Sequence, residues 1–112
     1  MVAPSVGSVV VVGFPFSDLS ASKRRPAIIL AAAGRNDWIL CQITSKPYGD
    51  PLAIQIINAD FESGSLSHIS YARPGKLFTA NVSLMRSEIG RLVPGSHDKI
   101  RTAIISLLNA KS

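Results

Sequence analysis

Hydrophobic positions in this chain come in short runs until the C-terminal segment, where they change to helical spacing. SVVVVGF (8–14) is continuous and β-branched, which predicts a strand buried on both faces. PAIILAA (26–32) and WILCQITS (38–45) predict two more strands, with a turn at GRND (34–37) between them. In the third strand, Trp38, Leu40, Gln42 and Thr44 share one face, and Ile39, Cys41, Ile43 and Ser45 the other. The first face is the more polar, so Gln42 and Thr44 are expected toward solvent or a cleft. LAIQII (52–57), HISYAR (68–73) and KLFTA (76–80) read as further strands, the last two interrupted by Pro74 and Gly75. FPFSDLSASKR (14–24), KPYGDP (46–51) and NADFESGS (58–65) read as loops. Residues 83–89 read as a helical turn before a short strand near Gly90–Val93.

From Pro94 the period changes. Ser96 is a candidate N-cap with Asp98 in the first turn, and Ile100, Ala103, Ile104, Leu107 and Leu108 recur at spacings of three and four. There are no internal repeats or linkers. The pattern predicts one domain over residues 1–112, a mainly antiparallel β-fold with a C-terminal helix covering one side.

Composition narrows the class. The chain has 112 residues, 46% of them hydrophobic and only 17% charged, which suits one small core and argues against disorder. The apolar run Val9–Val12 is far too short for a signal core or a membrane span, so a cytoplasmic setting is expected. A lone cysteine, Cys41, excludes an internal disulfide; its apolar neighbours mark it as a core residue. The net charge of +5 is unevenly spread. Residues 1–22 hold no Lys or Arg, and Lys23, Arg24 and Arg25 then arrive together against Pro26 and an apolar strand. A guanidinium held at a strand mouth can grip a phosphate with paired hydrogen bonds, which points to a nucleic-acid partner.

Phosphate-binding glycine loops, a nucleophile elbow and metal-ligand spacing are all missing. His68 and His97 are far apart and the seven acids are scattered, so neither a cofactor nor a metal site is read. If the second and third strands pair about the turn at 34–37, residue 25 comes back to about residue 46. Arg25, Thr44, Ser45 and Lys46 then form a donor-rich pocket without an acid, suited to a phosphodiester.

Four segments carry a family resemblance: GSVVVVGFPFSDLS (7–20), RRPAIIL (24–30), CQITS (41–45) and SYARPGKLFTANVSLMRSEIGRL (70–92). In order and spacing they resemble the MazF/PemK toxins of bacterial type II toxin–antitoxin systems. The resemblance implies an SH3-like barrel of the MazF/CcdB type, usually a homodimer. It also implies a metal-independent endoribonuclease that cuts single-stranded RNA at short sequences. Its catalytic arginine in the R-P motif corresponds to Arg25 and its catalytic threonine to Thr44. A cognate antitoxin with a disordered acidic tail is expected to bind across the RNA groove. Many relatives carry a glutamate in the loop before the R-P motif, where this chain has Ser22 and Lys23.

Plainer readings stand beside these. Arg25 taken alone could be a strand-end surface cation. Lys23, Arg24, Lys46, Arg73, Lys76 and Arg86 could line an RNA path with Ser45, or be ordinary solvated charges. Phe16 and Tyr48 could stack on bases, although Phe16 reads better as a plug for the barrel end. Trp38 reads as core or dimer interface, and His68 as a structural histidine. Two other functions share the fold: a toxin that poisons gyrase, and a non-catalytic binder of RNA or antitoxin.

Overall fold

In the computed structural model, residues 3–15 and 22–111 are described, with the backbone alone for residues 14–15 and 22–23. Seven strands form one antiparallel sheet: β1 (Ser8–Pro15), β2 (Ser22–Gly34), β3 (Asp37–Thr44), β4 (Ile54–Ile56), β5 (Phe61–Gly64), β6 (Ser70–Asn81) and β7 (Met85–Leu92). Their order across the sheet is β4-β6-β3-β2-β1-β7-β5, so the short strands β4 and β5 are its two edges. The sheet curls into a half-barrel, and one helix, α1 (Pro94–Asn109), packs on it.

The apolar runs explain why both faces of the sheet are covered. Toward the helix, Val9, Ile28, Cys41, Ile43 and Ala72 pack with Ile100 and Ile104. On the other face, Val10, Val12, Ala27, Ile29, Leu40, Ala80 and Met85 form a second cluster, with Trp38 and Phe78 against it. The Trp38/Leu40 side of β3 is therefore not a solvent face: Leu40 is fully buried, and only toward Gln42 and Thr44 does this side open.

Other expectations change in the same physical terms. The basic run is not the end of a loop, because β2 starts at Ser22 and pairs with β1 from Ser22 to Ile28, with Lys23 opposite Phe14 and Arg25 opposite Val12. Pro74 and Gly75 do not divide two strands. They sit in an irregularity of one continuous β6, where pairing with β3 jumps from Cys41↔Leu77 to Ile43↔Ala72. The helical turn is confined to Val82–Leu84, and β7 already begins at Met85. Residues 58–65 are not all loop: a 3-10 turn at Asn58–Asp60 leads into β5. The helix opens at Pro94, preceded by Val93 as cap residue, and Ser96 instead donates to Asp60 Oδ1 at 2.7 Å. Leu108 lies outside the core at 71% exposure, whereas His97, one turn before Arg101, is buried.

Candidate functional site

The site is built by the β2–β3 hairpin. Arg35 and Asn36 both take positive φ (53° and 65°), as a two-residue type I′ turn requires. Beside the turn Gly34 faces Asp37. Two register irregularities follow, each leaving one extra residue on β2, and beyond them Ala27 faces Gln42. Continued two residues past that last pair, the register sets Arg25 opposite Thr44, not opposite Lys46. The β3 ladder stops where Pro26 lacks an N–H to give.

Cross-strand partners share a face. Val12 is opposite Arg25, Thr44 is opposite Tyr71, and Tyr71 is opposite Gln55. One rung on the face away from the helix thus runs Val12, Arg25, Thr44, Tyr71, Gln55. Arg25 is half-buried and forms no ion pair among the described residues. The Thr44 hydroxyl accepts from the Lys46 N–H at 3.1 Å and donates to the Lys46 carbonyl at 3.2 Å. The first bond fixes the oxygen. The second can be exchanged for an incoming anion by rotating one hydroxyl proton. An immobile oxygen donor beside a half-buried guanidinium can stabilise charge on a phosphoryl oxygen.

The other candidate residues divide into groups. Ser45 and Lys46 are exposed immediately beyond Thr44. Arg73 is committed: its Nε donates to Asp50 Oδ2 at 2.9 Å, with both side chains largely covered. Asp50 also accepts from the Leu52 N–H at 2.9 Å, so Arg73 clasps the 46–51 loop rather than offering its Nε to a ligand. The Arg73 hydrogen bond, followed by the Leu52 N–H, holds the Asp50 carboxyl below its ordinary range; Lys76 adds to this field. The strand end is therefore not free of acid, but its acid is neutralised. Arg24 faces Gly13 on the alternate face, and the Arg86 Nε lies 3.3 Å from where a Gly13 side chain would begin. Only the backbone of Lys23 is described, and Phe16 lies outside the described residues.

His68 is exposed in the β5–β6 segment and lines a different concavity of about 390 Å³, with Ile57, Phe61 and Leu66. Tyr48 is 83% exposed at positive φ in the clasped loop. Cys41 is buried, and its thiol is pushed up to about 11 by burial, so it is held as a thiol. Among the described residues no group of three His, Cys, Asp or Glu side chains could hold a metal ion. No helix among them is long and apolar enough to cross a membrane.

Tyr71 and Gln55 were not picked out by sequence reasoning. The alternation in HISYAR does put Tyr71 on one strand face, but nothing in the sequence says that this strand pairs with β3.

The architecture is that of a small SH3-like half-barrel with a C-terminal helix, and solved structures share it. The chain is similar to an endoribonuclease in complex with its cognate antitoxin from a mycobacterial species, at 20% identity over 100% of this chain and 99% of that one, with a TM-score of 0.69. It is similar to a MazE–MazF structure from Deinococcus radiodurans, at 19% identity over 99% and 100% of the two chains, TM-score 0.77. It is also similar to the Mycobacterium tuberculosis toxin MazF-mt6, at 16% identity over 92% and 99%, TM-score 0.66. No curated protein sequence matches significantly. The family described as PemK-like, MazF-like toxin of type II toxin–antitoxin system matches residues 5–108, and the chain belongs to that family.

Proposed function

We propose that this protein is an endoribonuclease toxin that cuts single-stranded RNA by using the RNA's own 2′-hydroxyl. That hydroxyl attacks the adjacent phosphorus, the bond to the 5′-oxygen breaks, and the products are a 2′,3′-cyclic phosphate and a 5′-hydroxyl. The Arg25 guanidinium binds the non-bridging oxygens as charge builds on them, and the Thr44 hydroxyl adds a second fixed donor. No metal is required if these donors meet that charge. A guanidinium has no acceptor site and is a poor proton acceptor, so the role given to Arg25 is that of a donor to the phosphate.

The observation that carries this reading is the rung shared by Arg25 and Thr44, at the point where the β2–β3 ladder ends, in a chain of the MazF-like family. As part of the same proposal, family membership supports a partner and a setting: inhibition by a cognate antitoxin through a disordered acidic tail, a homodimer, and action in the cytoplasm. Ser22 and Lys23, standing where many relatives have a glutamate, favour a second reading in which the protein binds RNA without cutting it.

One experiment separates the readings. Purified protein is incubated with a long single-stranded RNA in EDTA. Cuts ending in cyclic phosphate, abolished by a 2′-deoxy sugar at the cut site, support the toxin reading. Tight binding of intact RNA supports the second. DNA breaks that depend on gyrase, without RNA cuts, would replace both.

A further inference from the structure

We propose that Tyr71 and Gln55 form the base-binding end of the groove: Tyr71 stacks on the nucleotide beside the phosphate held at Arg25 and Thr44, and Gln55 reads that base's edge. This rests on the RNA-binding part of the function proposed above.

The placement comes from the rung. Tyr71 lies directly across from Thr44, and Gln55 directly across from Tyr71. With strands about 4.8 Å apart, Tyr71 is one strand from the threonine and two from the arginine. A base attached to a sugar whose phosphate sits at Arg25 and Thr44 reaches over Tyr71. The ring is carried by β6, paired on both sides by β3 and β4, so it is held by the sheet and not by a loop.

The state of the ring distinguishes it from a core aromatic. Trp38 and Phe78, also on the face away from the helix, pack against the second apolar cluster, whereas Tyr71 belongs to neither cluster. It is half-buried, and its hydroxyl bonds to no group among the described residues. A tyrosine that is carried by a paired strand, left out of the core and bonded at its tip to none of the described residues suits an aromatic partner from outside. Stacking tolerates any base. Discrimination then falls to Gln55, exposed on the three-residue edge strand, whose side-chain amide offers both donor and acceptor to a base edge.

The test compares wild type with Tyr71→Ala, Tyr71→Phe and Gln55→Ala. Cleavage is read on random-sequence single-stranded RNA in EDTA, with cut sites sequenced. Binding is read on a 2′-O-methyl RNA pool, which cannot react. Tyr71→Ala is expected to raise KM and weaken pool binding about ten- to a hundredfold, with kcat changed much less. Tyr71→Phe, which keeps the ring, restores most of that loss. Gln55→Ala flattens the base preference at one position beside the cut. The proposal is overturned if Tyr71→Ala lowers kcat without moving KM, if Phe is as poor as Ala, or if cut-site preference ignores Gln55. If wild type binds the pool but cuts nothing, the nuclease reading falls and the pool affinities of the Tyr71 variants still decide this one. If wild type does not bind the pool, both fall. Thermal melts of each variant separate a lost ring contact from a lost fold.

Discussion

Energetic coupling between Arg25 and Thr44 is the most direct consequence of their common rung. Arg25→Ala removes a charge-assisted donor, and losing one preorganised donor typically costs ~10²–10³ in rate, about 3–4 kcal/mol. Thr44→Val keeps the β-branched shape and deletes the hydroxyl, together with its two bonds to Lys46. A hydrogen bond to a charged group is worth about 1.5–3 kcal/mol, so this variant should slow ~10–10² fold. Were the two groups independent, the double variant would lose the product of both factors. Directly opposed residues have Cβ atoms about 4.5–5.5 Å apart. That is well inside the range where deletions couple by about 0.5–3 kcal/mol. The double variant should therefore be at least about fivefold faster than the product of the single losses, equivalent to about 1 kcal/mol of coupling. The assay is kcat/KM on single-stranded RNA in EDTA for the four proteins, with Thr44→Ser as the variant that keeps the hydroxyl and its turn. Losses that multiply within about twofold, or an Arg25→Ala protein that cuts at the wild-type rate, would refute the idea that both groups meet one phosphate.

Other consequences are structural. Gly64 has φ +72°, and a Cβ there would stand 2.1 Å from the Ile89 carbonyl oxygen, so Gly64→Ala should cost about 1–3 kcal/mol or more in urea unfolding. Gly34→Ala, at φ +87° with nothing within 4 Å, should cost only about 1 kcal/mol from its backbone angle. Burial first, and Arg101 second, hold the His97 imidazole below its ordinary 6.5, so the unfolded chain takes a proton that the folded one refuses. Stability from neutral His97 is then complete above 6.5 and is lost as pH falls through the folded-state pKa. His97→Leu should flatten that slope in urea midpoints measured from neutral to mildly acidic pH. The Asp50 clasp acts in a more acidic window: it is complete above 3.8 and fades as pH falls through the folded-state pKa. Asp50→Asn should be less stable than wild type at neutral pH, with the gap closing in strong acid.

The parts of the fold that were legible in the sequence are those set by local chemistry. The β-branched run at 8–14, the turn at 34–37 and the helical period after Pro94 each carry their own signal. What was not legible depends on distant pairing. Pro74 and Gly75 look like a strand break, yet β6 runs through them because β3 pairs on either side of the irregularity. Ser96 has the chemistry of an N-cap, but Asp60, far off in sequence, takes its hydroxyl. Arg73 looks like any surface cation until Asp50 is placed beside it. Tyr71 and Gln55 gain meaning only from sharing a rung with Thr44, and no local period reports which residues lie one and two strands across the sheet.

The position of the site itself turns on the two extra residues in β2. Counting back from the turn without them brings Arg25 beside Lys46; with them it stands opposite Thr44. One of the extra residues is Leu30, which is buried at 6% exposure and has no partner in the β3 register. A bulge releases a backbone carbonyl from the ladder, and a buried carbonyl without a partner costs free energy comparable to a lost hydrogen bond. Arg101 resolves that conflict by donating its Nη1 to the Leu30 carbonyl at 2.8 Å. The C-terminal helix thus does more than cover one face of the sheet. Through Arg101 it satisfies the irregularity that sets the register of the candidate site, and the site's geometry depends on a residue that its own hairpin does not contain.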